Sequence, residues 1–268
     1  MPEDSPVPPA SRRIALRWTA DLALAVVFLT RLPLRLSGPL AADAHARAMG
    51  WFPLVGAGVG LFGGAVYGLA ALVHLPPLPG ALLALGAMVW LTGALHEDGA
   101  ADVADGFGGG RDKARKLEIM RDSRVGSYGV LAIVFSVAVR AAALAALAEP
   151  RAAIPTLLAS GALSRGGMAV IARFMDAARA DGLAARQGRP SPGTTALSLG
   201  LALGVAVLAL RGLAPGAVLA AVLAAVLAVA AVAWQARRQI GGHTGDVFGA
   251  AQQAAEAAVL LTLAAMAA

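Results

Sequence analysis

Seven apolar stretches dominate this chain: Met49–Val73, Ala81–Leu95, Val130–Leu147, Ile154–Phe174, Ala196–Leu210, Ala217–Trp234 and Val247–Ala267. Several reach or approach the ~18 residues of a membrane-spanning helix. Composition agrees, with 58% hydrophobic and only 14% charged residues, against about 25% charged in soluble domains. The expected fold class is all-α, a polytopic integral membrane helical bundle of about seven spans. A soluble all-α protein with buried helices is the competing reading. Gly56, Gly60 and Gly64 form small-xxx-small pairs in the first run, which suit close helix contact in lipid or arise by chance in a Gly-rich chain.

The N-terminus departs from this pattern. Residues 1–17 are expected to form a disordered tail, polar and Pro-rich at its start, leaving 18–268 as a single transmembrane catalytic domain. Arg12, Arg13 and Arg17 precede an apolar stretch that Asp21 interrupts, which is a poor signal peptide. Leu22 to Thr30 is too short to span and is closed by Arg31 and Pro33, so an interfacial helix is expected.

Lysine and arginine set the orientation. With the N-terminal region cytoplasmic, seventeen basic residues fall on the cytoplasmic side and only Arg151 and Arg211 on the other; Arg140, Arg165 and Arg173 lie inside proposed spans. This asymmetry accounts for the net charge of +6 without nucleic acid. The absence of cysteine excludes disulfides, thiolate metal sites and a cysteine nucleophile.

One polar segment, His96 to Gly129, gathers seven of the sixteen acidic residues. In a membrane chain, such a concentration marks the chemistry. Asp98, Asp102 and Asp105 stand at i, i+4 and i+7, so a helix continuing from Ala81 would carry them on one face. Like charges so placed persist where a divalent cation sits among them, and Mg²⁺ leaves positions open for phosphate oxygens. A solvated acidic helix end is the plainer reading. Gly106, Gly108, Gly109 and Gly110 follow, as in a loop whose amides approach phosphate, or in any tight turn. Arg121, Ser123 and Arg124 are candidates to hold phosphates or lipid headgroups, and Asp122 to join the metal or orient an arginine.

Two further places belong with these. Arg165, inside a span, needs a polar cavity or an acidic partner unless it snorkels to the membrane surface. In GGHTGD (Gly241 to Asp246), Asp246 is a candidate metal ligand and His243 a candidate base or phosphate ligand, while Thr244 or Asp246 would equally cap a helix. Carboxylates, arginines and glycines at a membrane face point to phosphoryl transfer.

The segments FLTRLP (Phe28 to Pro33), WFPLVGAGVG (Trp51 to Gly60), HEDGAADVADGFGGG (His96 to Gly110), LEIMRDSRVGSYG (Leu117 to Gly129), SRG (Ser164 to Gly166) and GGHTGD stand in one order along the chain. In them the sequence resembles the adenosylcobinamide-GDP ribazoletransferase (cobalamin synthase) family. The resemblance implies an Mg²⁺-dependent enzyme of the bacterial inner membrane, with its active site facing the cytoplasm. It implies that α-ribazole or its 5′-phosphate attacks adenosylcobinamide-GDP, releasing GMP and forming adenosylcobalamin or its 5′-phosphate. Asp98, Asp102 and Asp105 would hold Mg²⁺, with Asp122 and Asp246 as further ligands and Asp105 as the base. Arg121, Arg124 and Arg165 would hold phosphates. Membrane lipid is an expected partner, nucleic acid is not, and a homo-oligomer is left open. A CDP-alcohol phosphotransferase-like lipid enzyme is the alternative, but Asp98-Gly99-Ala100-Ala101 is followed by Asp102 where that family places arginine. A transporter with an acidic ion site would instead place its carboxylates near mid-span.

Overall fold

The computed structural model describes residues 10–36, 38–182, 186–214 and 216–267. These residues form helices α1 (Ala10–Leu29), α2 (Ala44–Ala48), α3 (Phe52–Leu72), α4 (Pro77–Thr92), α5 (Leu95–Gly109), α6 (Lys113–Ile119), α7 (Ser127–Ala146), α8 (Pro150–Phe174), α9 (Pro192–Leu210), α10 (Ala217–Ile240) and α11 (Gly245–Ala267). A single 3₁₀ turn, Met49–Trp51, joins α2 to α3. Among the described residues no strand forms beyond one isolated bridge, Ala177 to His243.

Six segments are long and apolar enough to cross a membrane: Ala44–Leu72, α7, α8, α9, α10 and α11. A seventh is counted if α4 and α5 are taken together. The protein is therefore an all-α, multi-pass membrane protein, with α8 and α11 at its centre. Their apolar windows are 78% and 72% buried, against 22–28% for α7, α9 and α10, which present leucines and valines outward.

Small residues bring the central helices together. Gly56 of α3 faces Gly161 of α8, Gly60 faces the Leu157 carbonyl, and Gly64 faces Ile154. The small-xxx-small stripe is thus the α3–α8 seam, where backbones approach because no side chain intervenes.

The helix from Ala81 does not continue through Asp105. α4 ends at Thr92, Gly93 and Ala94 both adopt left-handed backbone (φ +66° and +60°), and α5 leaves at 90° to α4. For alanine that conformation costs about 1–2 kcal/mol. The three aspartates keep their helical spacing, but on a separate helix.

At the other end of the chain order, the expected tail of residues 1–17 lies outside the described residues as far as residue 9, and α1 is already helical from Ala10. α1 is not among the six candidate spans. It packs through Leu24, Ala25 and Leu29, and its Asp21 accepts from Arg47 Nε and Nη2 at 3.0 and 3.1 Å. The acid that breaks the apolar run is therefore the pin that fastens α1 to α2.

Candidate active site

α5 crosses the start of α11 at two glycines. A Cβ on Gly99 would meet the Asp246 backbone oxygen at 2.9 Å, and one on Gly249 would meet the His96 carbonyl at 3.0 Å. This backbone-to-backbone contact brings Asp98 and Asp246, 148 positions apart in sequence, to the wall of one cavity of about 250 Å³. Arg179 and Gln187, from the segment between α8 and α9, complete its polar side. Arg179 Nη2 lies 3.9 Å from Asp246 Oδ2, and the Thr244 hydroxyl donates to the same oxygen at 3.1 Å. His96 lines the cavity beside Asp98.

Asp98 is exposed and Asp102 and Asp246 are half-buried, and the three feel one another's charge. Among the described residues no three His, Asp or Glu side chains already converge to hold a metal ion. The donor chemistry fits a hard cation all the same: carboxylates that repel one another, with Asp98 and Asp246 open to the cavity, are what Mg²⁺ takes.

The other expected site residues sit elsewhere. Asp105, the expected base and metal ligand, is buried with both oxygens engaged, accepting from Gly126 N at 2.7 Å and Gly129 N at 2.9 Å. It satisfies amides at the start of α7, where a helix leaves them unpaired. Asp122 is bound by Arg124, whose guanidinium holds its carboxyl low, at about 2. Arg121 grips Asp181 through Nη2 at 2.6 and 2.7 Å. Ser123 is exposed in the same connection.

Gly108 and Gly109 are the last helical residues of α5 rather than a phosphate loop. A Cβ on Gly108 would strike the Tyr128 ring at 2.7 Å, so Gly108 serves packing. His243 is buried against Phe248, with ring centroids 4.8 Å apart, and its Nδ1 has no hydrogen-bond partner among the described residues. Burial pushes its pKa down to about 4, which leaves it neutral near pH 7 and a weak base. Its backbone is fixed by His243 N to Asp176 O (2.9 Å) and Ala178 N to His243 O (2.8 Å).

Arg165 meets an acidic partner within the bundle, with Nη1 3.5 Å from Glu256 Oε2. Glu256 also accepts from Arg140 Nη1 at 2.9 Å, and Arg140 Nη2 donates to Glu97 at 3.1 Å. Gln252 and Gln253 donate to Glu256 and Glu97 at 2.5 and 3.0 Å. Two arginines and two glutamates thus neutralise one another among α5, α7, α8 and α11, where an unpaired charge would be costly. Sequence reasoning passed over Glu256, Gln252 and Gln253. Their signal was polar residues inside the last apolar run. Arg179 and Gln187 were also missed, and as isolated polar residues between spans they carried no distinguishing signal.

The cobalamin-5-phosphate synthase family model matches residues 21–264. An adenosylcobinamide-GDP ribazoletransferase of Bradyrhizobium diazoefficiens is 46% identical over 92% of this chain and 94% of its own length. The proteins of that name from Mesorhizobium japonicum and Azorhizobium caulinodans are 45% and 44% identical, over 90% and 91% of this chain and 91% and 95% of their own lengths. No solved structure matches the chain. With nearly the whole bundle covered by both the family model and these relatives, the chain belongs to the cobalamin-5-phosphate synthase family.

Proposed function

We propose that this protein transfers the adenosylcobinamide phosphate of adenosylcobinamide-GDP to α-ribazole or its 5′-phosphate, with Mg²⁺, at the cytoplasmic face of a bacterial inner membrane. The observation that carries this reading is the convergence of Asp98 and Asp246 with Arg179 on one cavity, made by the α5–α11 crossing. The names of the relatives supply the substrates, and the lysine and arginine asymmetry supports the orientation.

In this reaction a ribose hydroxyl oxygen bonds to the phosphorus that carries the cobinamide. The bond from that phosphorus to the bridging oxygen breaks, and GMP leaves with that oxygen. Asp98, Asp102 and Asp246 would hold Mg²⁺, which when bound neutralises charge on the pyrophosphate. Arg179 adds positive charge on the same wall. The hydroxyl proton passes to a carboxylate of the group. Asp98 suits this task better than Asp105, because it is exposed at the cavity whereas both Asp105 oxygens already accept backbone hydrogen bonds.

The test is product formation by purified protein in detergent, given adenosylcobinamide-GDP and α-ribazole, with and without Mg²⁺. Metal-dependent release of GMP with a complete corrinoid is expected. Folded protein that produces neither would overturn the reading.

A further inference from the structure

The cavity beside Asp98 has a mixed lining. Apolar Phe28, Leu95, Met168 and Phe248 line it together with polar Asp98, Asp246, Arg179 and Gln187. Gln187 is only 3% exposed, yet its Oε1 has no hydrogen-bond partner among the described residues. Leaving such a group unpaired costs about 1–3 kcal/mol, a cost that a ligand's donor would remove. The volume of about 250 Å³ lies below the ~300–1,000 Å³ of pockets for drug-sized ligands. It suits a compact molecule and is too small to enclose a corrinoid nucleotide.

Resting on the reaction proposed above, we propose that this cavity is the subsite of the nucleophile: an aromatic riboside whose apolar base lies against Phe28, Met168 and Phe248. The ribose then meets Gln187 and Asp98, with its hydroxyl on the side where the carboxylates gather. Guanosine, the other riboside of the reaction, suits this wall poorly. A guanine edge carries several donors and acceptors, and burying them against phenylalanine, leucine and methionine leaves them unpaired. The donor substrate accordingly lies outside this cavity, along the face that leads to it.

Because the chain has no cysteine, one introduced thiol reports the site. Gly245 lines the cavity, and an added Cβ there meets nothing within 4 Å. In full-length Gly245→Cys protein in detergent, α-ribazole alone is expected to slow alkylation by iodoacetamide tenfold or more, and GMP to leave it unchanged. Gln187→Ala in the same background should raise the α-ribazole concentration needed for protection about tenfold. It should leave the KM for adenosylcobinamide-GDP within twofold of its starting value. Protection needs no turnover, so an enzyme that releases GMP without protection of the thiol sinks the subsite alone. Equal or better protection by GMP would assign the cavity to the donor instead. Protection by α-ribazole 5′-phosphate and not by α-ribazole would contradict the unphosphorylated riboside as its ligand. If Gly245→Cys does not fold, direct dialysis of α-ribazole against wild-type and Gln187→Ala protein decides, and equal binding by both overturns the proposal.

Discussion

Arg140 donates to Glu97 at 3.1 Å, joining the middle of α7 to the first turn of the helix that carries the carboxylates. Both side chains are buried, and Glu256 shares the same guanidinium at 2.9 Å. Removing one partner of a buried pair typically costs about 3–5 kcal/mol, because the other charge is left without compensation. Arg140→Met should therefore lower the melting temperature sharply. Adding Glu97→Gln should restore part of the loss, since it removes a stranded carboxylate. A double-mutant cycle by thermal melting in detergent checks this, and strictly additive losses would contradict the coupling.

The two aspartates Asp102 and Asp105 sit one turn apart and predict opposite failures. Asp105 holds two amides at the start of α7, so Asp105→Ala should lower stability by roughly 1–3 kcal/mol as buried donors lose their acceptor. Among the described residues Asp102 makes no such structural bond, and it stands among like charges. Asp102→Asn should melt at or above the wild-type temperature while losing nearly all turnover. Melting curves beside GMP release decide it, and full activity in Asp102→Asn would remove the metal-ligand role.

His243 gives a pH prediction. Burial lowers its folded pKa to about 4, below the ordinary value of 6.5. Above pH 6.5 it is neutral in both states and contributes no slope. Between about 6.5 and 4 the unfolded chain binds the extra proton, so stability falls as pH drops through this window and levels off below it. His243→Asn should flatten that part of the profile of melting temperature against pH. An unchanged slope would show that other groups set the acid limit.

Much of the bundle was legible because lipid demands long apolar runs: six of the seven became helix over nearly their whole length, and the Ala81–Leu95 run is helical as far as Thr92. The Ala196–Leu210 run was short because Pro192 to Thr195, which open α9, look polar in sequence. The break at Gly93–Ala94 was not legible. Alanine carries no marker for left-handed backbone, and the apolar pattern runs across the bend. The site was legible as a set of residue types and less so as a set of partners. Asp98, Asp102 and Asp105 lie on one helix as their spacing required. Which of them reaches a cavity, and which caps a neighbour, depends on α7 and α11, more than twenty residues and more than a hundred residues away. Arg124 could not be told from a phosphate ligand by sequence, because its partnership with Asp122 is a matter of side-chain geometry.

Two glycines of α3 make the sharpest test of the packing. Gly58 and Gly60 are two positions apart, and an added methyl has opposite meanings at each. At Gly60 a Cβ would collide with the carbonyl of Leu157, which belongs to the α8 backbone and has no rotamer to move away. At Gly58, exposed on the outer side, it meets nothing within 4 Å. In a helix interior alanine is favoured over glycine by roughly 0.5–1 kcal/mol. Gly58→Ala should therefore be neutral or slightly stabilising. Gly60→Ala must push α3 from α8 along the seam and lose the contacts of both Gly56 and Gly64. Its expected signature is a melting temperature lower than that of Gly58→Ala by several degrees or more, or failure to recover folded protein from membranes. Equal stability of the two variants would mean that α3 and α8 do not meet backbone to backbone along this seam.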